Sequence, residues 1–322
     1  MNVLFAGTPQ IAVPALEAVA DHHHVVGVLT NPDRKSGRGK KSLPPPVKEK
    51  AQDLGIPVFQ FESLKREARA AISPLAADIL VVFAYGRIFG PKFLALFPKG
   101  GVNIHPSLLP RYRGSVPMTA AILNGDRETG VTIQKIALEL DSGDILLQES
   151  FPLTLRETGT DLSDRSAEIG AELIAKSLAL IEEGKVQSRR QDPEQASYCR
   201  RLRKEDGLIN WRLPALLIER MVRAYTPWPR AFTCWRGHQL SILEAVLCRQ
   251  EDGNSGDGPG STSGNNPYGE VLGVDRKNGI LIQTGMGLLS VQRLQLQGKK
   301  PLFWKDFVNG NKDLVGSQLG DV

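Results

Sequence analysis

The sequence predicts an α/β protein: a doubly wound, mostly parallel sheet domain followed by a small OB-like β-barrel domain. Three observations carry this reading. The chain opens with a short apolar strand over Asn2 to Ala6, a tight Gly7-Thr8-Pro9 turn and a helical stretch from Gln10 to Ala20, with Ile11, Ala15, Leu16 and Val19 on one face. The run Ile79-Leu80-Val81-Val82 is continuously apolar, the pattern of a strand buried on both sheet faces. Beyond Ala231 the pattern changes to short alternating strands separated by Gly237, Gly279 and Gly287, as in a small antiparallel barrel.

The elements follow in order. Gly7 alone stands where a dinucleotide fingerprint needs three glycines, which disfavours a nicotinamide or flavin enzyme. His22-His23-His24 lies between a helix end and a strand over Val25 to Leu29. Adjacent side chains diverge there, so a solvated connection is expected rather than a metal site. From Arg34 to Lys50 the chain is basic, with Gly37, Gly39 and consecutive prolines at 44 to 46, and an exposed, mobile loop is expected. A solvated loop and a loop that grips phosphates when nucleic acid arrives both fit this composition.

The alternation continues with a strand at Pro57 to Phe59, a helix over Ser63 to Ile72, the strand ending at Phe83, and a short helix over Pro91 to Phe97. A strand from Gly101 to His105 precedes a helix over Val116 to Asn124, then strands over Gly130 to Ile136 and Ile145 to Phe151. A long amphipathic helix over Thr160 to Glu183, with Ile169, Leu173, Leu178 and Ile181 inward and Gly184 as its stop, closes the first domain. These patterns give domains at 1–188 and 207–322, joined by a polar, arginine-rich linker at 189–206. One helix near Pro214 to Ala224 precedes the barrel strands Ala231 to Trp235, Leu240 to Ala245, Gly269 to Val274, Gly279 to Gln283 and Leu288 to Leu296. The Gly/Ser-rich residues 252–266 read as a disordered insertion with no assigned function, and core packing is the first expectation for Trp228, Trp235 and Trp304, base stacking the second.

At 322 residues the chain can hold two cores, and 41% hydrophobic with 23% charged residues is ordinary for a soluble protein. Its net charge of +5 permits a polyanionic partner without requiring one. Cys199, Cys234 and Cys248 show neither CxxC nor ligand spacing, and no signal peptide or membrane-spanning run is read, so a cytoplasmic setting without membrane association is expected.

The stretch Asn103-Ile104-His105-Pro106-Ser107-Leu108-Leu109-Pro110 carries the chemistry. Period-two geometry points Asn103 and His105 to one face at a strand end, and the prolines then force a loop. A lone histidine is more often a satisfied strand-end residue than a catalyst. Asn103 beside it, and the later turn Asp141-Ser142-Gly143-Asp144, complete an inventory of amide, imidazole and carboxylate suited to orienting a histidine and stabilising an oxyanion.

At these motifs the sequence resembles the folate-dependent formyltransferases, most specifically those acting on an aminoacyl-tRNA. The resemblance spans nearly the whole chain, from Phe5-Ala6-Gly7-Thr8-Pro9 through Asn31-Pro32-Asp33-Arg34, the basic loop, Val102 to Gly114 and Asp141 to Ile145, to Gly298-Lys299-Lys300-Pro301. It implies formyl transfer from 10-formyltetrahydrofolate to the α-amine of methionyl initiator tRNA; the chemistry needs no metal, and a monomer is expected. Carried over by motif, Asn103, His105 and Asp141 are the catalytic trio, and Ser107, Leu108, Leu109 and Pro110 line the folate site. Arg38, Lys40 and Lys41 of the basic loop contact the tRNA acceptor stem. On this reading His105 and Asn103 donate to the developing oxyanion while Asp141 holds the imidazole and favours its protonated form. A formyltransferase acting on a small amine would share the trio, though not the need for a basic loop and barrel. A noncatalytic RNA-binding protein would leave the trio unexplained.

Overall fold

The computed structural model describes residues 1–36, 41–248 and 266–320. The chain forms two compact units. The first comprises Met1–Met118, Arg127–Leu153 and Asp161–Arg201, and the second Thr119–Asp126, Thr154–Thr160 and Leu202–Val322.

In the first unit the strands are β1 (Asn2–Gly7), β2 (His24–Thr30), β3 (Arg34–Ser36), β4 (Lys41–Leu43), β5 (Val58–Gln60), β6 (Ile79–Phe83), β7 (Gly101–His105), β8 (Arg113–Gly114), β9 (Glu128–Lys135), β10 (Ile145–Pro152) and β11 (Tyr198–Cys199). Seven of them form one sheet in the order β10-β9-β7-β6-β1-β2-β5. Pairing is parallel from β5 to β7, and antiparallel where β9 joins β7 and β10 joins β9. Every residue of β6 is buried, as its apolar run requires. His105 therefore sits at the carboxyl end of an inner strand, where open α/β sheets place their ligands.

The helices of this part are α1 (Val13–His22), α2 (Pro46–Asp53), α3 (Arg66–Ile72), α4 (Pro91–Leu94) and, from Asp161 on, α6 (Gly159–Glu182), while most of α5 (Pro117–Asn124) belongs to the second unit. The expected first helix opens as a 3-10 turn over Gln10–Ala12 and continues as α1, with Ile11, Ala15, Leu16 and Val19 buried. For the described residues, the expectation of a mobile loop from Arg34 to Lys50 is corrected. β3 and β4 pair antiparallel, and Pro46 starts α2, whose Val47 and Ala51, one turn apart, are buried. Lys48 pairs with Asp33 at 2.8 Å and Lys50 with Glu17 at 2.7 Å, so part of the basic charge is spent inside the unit. Arg38 and Lys40 lie outside the described residues, and Lys41 opens β4.

Two smaller expectations also change. The buried stripe of α6 is Leu162, Ser166, Ala167, Gly170, Leu173, Ile174, Ser177 and Leu178, while Ile169 and Ile181 are only half-buried. The small residues bring α6 onto the sheet, where a Cβ at Gly170 would stand 3.0 Å from Ile104 of β7. His23 is not solvated: its side chain is 5% exposed beside the Met1 amine and Glu182, and burial pushes its pKa down.

The second unit contains α7 (Ala215–Ala224), strands β12 (Ala231–Trp235), β13 (His238–Leu247), β14 (Val271–Asp275), β15 (Gly279–Gln283), β16 (Leu288–Leu296) and β17 (Leu302–Phe303), and α8 (Trp304–Gly310). The sheet runs β12-β13-β16-β15-β14 with antiparallel pairing throughout. Residues 316–320 close it: Cys234 of β12 bridges Gly320, and Glu270 beside β14 bridges Gln318. The interior is apolar, lined by Leu240, Ile242, Val271, Ile280, Val291 and Leu319. Trp235 is core, 3% exposed with its indole donating to Ser317 Oγ, whereas Trp228 is 56% exposed. The insertion at 252–266 lies outside the described residues apart from Asn266.

Candidate active site

β7 delivers Asn103 and His105, and β9 pairs beside it with Gln134 opposite Asn103 and Thr132 opposite His105. After His105 the chain turns sharply. Thr132 Oγ1 donates to the Ser107 carbonyl at 2.6 Å, the Leu109 amide donates to Thr132 Oγ1 at 3.3 Å, and Ser107 Oγ donates to the Arg111 carbonyl at 2.7 Å. Ser107 and Leu109 are thereby buried as the framework of this loop, and the Leu109–Pro110 peptide is cis. Leu108 and Pro110 remain half-buried.

His105 is 4% exposed, and each ring nitrogen has a distinct neighbour. Nε2 lies 2.9 Å from the Tyr112 carbonyl oxygen, which can only accept, so Nε2 carries a proton. Nδ1 faces Asp141 Oδ2 at 3.7 Å. Burial is the dominant influence and holds the imidazole below its ordinary pKa; Asp141 and the Tyr112 carbonyl oppose it without reversing it. With Nε2 committed to the carbonyl, Nδ1 is the nitrogen that exchanges its proton; burial opposes the protonated ring expected from the sequence, while Asp141 and the Tyr112 carbonyl favour it.

Asp141 is built into its turn from several sides. Its Oδ2 accepts the Gly114 amide at 2.8 Å and its Oδ1 accepts Gln134 Nε2 at 2.9 Å. Both Asp141 and Tyr112 adopt left-handed backbone, with φ of 49° and 60°. That conformation is unfavourable for non-glycine residues and persists where surrounding structure enforces it, often at functional sites. Two glycines make the enclosure possible. A side chain at Gly143 would collide with the Lys135 carbonyl, and one at Gly114, whose φ is 117°, with the Cys199 carbonyl.

Residues 189–199, which read as linker in the sequence, lie against this site. β11 pairs with β8 in parallel, Ser197 Oγ accepts the Tyr112 amide at 2.9 Å, and Gln191 reaches the Asp141 turn. Cys199 Sγ lies 3.4 Å from the Arg113 carbonyl, and burial, with Asp141 nearby, pushes its thiol pKa up, so it stays protonated and is no nucleophile. The side-chain amide of Asn103 has no hydrogen-bond partner among the described residues. No group of three or more His, Cys, Asp or Glu suited to a metal occurs among them, and no helix there is long and apolar enough to cross a membrane.

An α/β sheet with an Asn-x-His strand end and a carboxylate opposite the imidazole fits the comparison with known families. The formyl transferase family profile matches residues 1–178, and the profile of the formyl transferase C-terminal domain matches residues 201–312. The chain belongs to the formyl transferase family. It is similar to the methionyl-tRNA formyltransferase of Treponema denticola, 45% identical over 98% of each chain. It is also similar to that of Coxiella burnetii, 42% identical over 97% of this chain and 96% of the relative. Among solved structures, a sugar 3N-formyl transferase determined with dTDP and 5-N-formyl-THF shares the fold. Its TM-score is 0.63 at 20% identity, over 93% of this chain and 99% of that one.

Proposed function

We propose that this chain transfers the formyl group of 10-formyltetrahydrofolate to the α-amine of methionyl initiator tRNA, with Asn103, His105 and Asp141 as the catalytic trio. The observation that carries the chemistry is the commitment of His105 Nε2 to a carbonyl, which leaves Nδ1 as the basic nitrogen facing Asp141. The amine attacks the formyl carbon and a C–N bond forms. Its proton passes to Nδ1, and Asp141 stabilises the imidazolium. The uncommitted amide of Asn103 donates to the developing oxyanion. Collapse of the tetrahedral intermediate breaks the bond to the folate nitrogen, which takes the proton back from His105. The imidazole is thus a base before it is a donor.

The folate site is formed by the loop Ser107, Leu108, Leu109 and Pro110, with Leu108 and Pro110 as its reachable side chains. The amine substrate is assigned from the relatives, whose 42–45% identity extends across both parts of the chain, against 20% for the sugar enzyme. We assign the formyl-folate chemistry to residues 1–188, tRNA contact to Arg38, Lys40 and Lys41 and to the barrel of residues 207–322, and the role of connector to 189–206. OB-type barrels commonly bind oligonucleotides. A cytoplasmic monomer is the working form, which sedimentation equilibrium tests.

The test is formyl transfer from 10-formyltetrahydrofolate to methionyl initiator tRNA by the wild type and His105→Ala, with uncharged tRNA and a small amine as controls. Activity confined to the charged tRNA and lost in the variant is expected. Turnover with the small amine alone would move the substrate to the sugar-type relatives.

A further inference from the structure

Two glutamines outside the trio bind the Asp141 turn, and their amides can face only one way. Arg113, 6% exposed, donates to Gln191 Oε1 from Nε at 3.0 Å and from Nη2 at 2.8 Å. A guanidinium has no acceptor, so the oxygen of Gln191 must face it. Gln191 Nε2 is then turned to the Gly143 carbonyl at 2.7 Å and the Asp141 carbonyl at 2.9 Å, with Gln134 Oε1 sharing its protons at 3.2 Å. The oxygen of Gln134 therefore faces Gln191, which leaves its Nε2 to donate to Asp141 Oδ1 at 2.9 Å. Gln134 itself is 2% exposed, a long polar side chain in the buried segment of β9 beside Val131, Thr132 and Ile133. Burying such a group is costly unless every polar atom has a partner, and here each does.

We infer that Arg113, Gln191 and Gln134 are positioning residues: a directional hydrogen-bond relay that fixes the Asp141 carboxylate with Oδ2 toward His105 Nδ1. Each member has its donor and acceptor ends set by the one before it, starting from an arginine that cannot reverse. The same relay grips the turn through two backbone carbonyls, which holds Asp141 in its left-handed conformation. The assignment rests on the catalytic reading of Asp141 given above.

The experiment is a double-mutant cycle in the formyl-transfer assay on the full chain, with Gln134→Met, Asp141→Asn and the combination. Methionine keeps the volume and removes the donor. Loss of one hydrogen bond to a charged group predicts a fall in kcat of about ten- to a hundredfold. KM for both substrates should stay within about twofold of wild type, since the relay touches neither substrate. In the Asp141→Asn background Gln134→Met should cost nothing further, because its effect passes through the carboxylate. Wild-type kcat in Gln134→Met, or an equal loss in both backgrounds, overturns the relay. Wild-type kcat in Asp141→Asn overturns instead the catalytic reading beneath it, and the relay with it. Gln191→Glu, which keeps the contact to Arg113 but turns an acceptor on both carbonyls, is run under the same criteria, so a Gln134 variant that fails to fold does not shelter the proposal.

Discussion

His105 Nδ1 faces Asp141 Oδ2 at 3.7 Å from within a buried site, and the carboxylate does not overcome the burial. The imidazole pKa lies below the ordinary value of 6.5. A base that titrates low stays active into mildly acidic solution. The acid limb of kcat/KM should therefore fall at a pH below about 6.5, and His105→Ala should lose about 10²–10⁴-fold in rate along with that limb. A pH-rate profile of both proteins checks this, and a wild-type limb above that value would contradict it.

The same shift has a sign for stability. The unfolded chain takes up the proton at the ordinary value and the folded chain only at lower pH, so protonation favours unfolding. The stability held by the neutral ring is complete above the unfolded pKa and is lost as the pH falls toward the folded one. Melting temperatures measured between about pH 7.5 and 5 should drop less in His105→Gln than in the wild type.

Gly143 is required by proximity, since any side chain there meets the Lys135 carbonyl. Gly143→Ala should cost about 1–3 kcal/mol in urea unfolding, as overpacking at a closed contact does. Because the Gly143 carbonyl also receives Gln191, the displaced turn should lower kcat more than KM.

The basic loop is tested by salt. Replacing Arg38, Lys40 and Lys41 by alanine removes three positive charges, so the slope of log affinity for tRNA against log salt should become shallower by about 2–3. KM for the folate should not move. Unchanged tRNA affinity across salt would remove these residues from the interface.

The inner strands, and the shared face of Asn103 and His105 on β7, were legible because their signals are local. The run from Ile79 to Val82 is apolar without interruption, and Asn103 and His105 share a face by alternation alone. α2 was hidden by four charged residues around just two buried ones, Val47 and Ala51, too short a stripe for helical periodicity to stand out. Gln134 carried a faint signal, a glutamine directly after the apolar Ile133 in the strand β9. Gln191 carried none, because its partners Arg113 and Asp141 are distant in sequence and its own neighbourhood is polar. The left-handed backbone of Tyr112 likewise has no signal in its residue type.

Closure of the barrel shares that long-range character, and it gives the last prediction. Val271 donates to the Ser317 carbonyl at 2.9 Å, Gly316 to Val271 at 2.8 Å, and Leu319 to Gly269 at 2.9 Å, while Cys234 donates to Gly320 at 2.9 Å. Leu319, 1% exposed, adds its side chain to the barrel interior. A chain ending at Val315 would lose these hydrogen bonds and about 1.5–3 kcal/mol of apolar burial from Leu319 alone. It would also expose the edge of β14 and the Cys234 end of β12, and open edges recruit other chains. The truncated protein should melt at a lower temperature, by several degrees or more, and scatter light on concentration. A truncation with wild-type melting and no association would show that the barrel does not depend on residues 316–320 for closure.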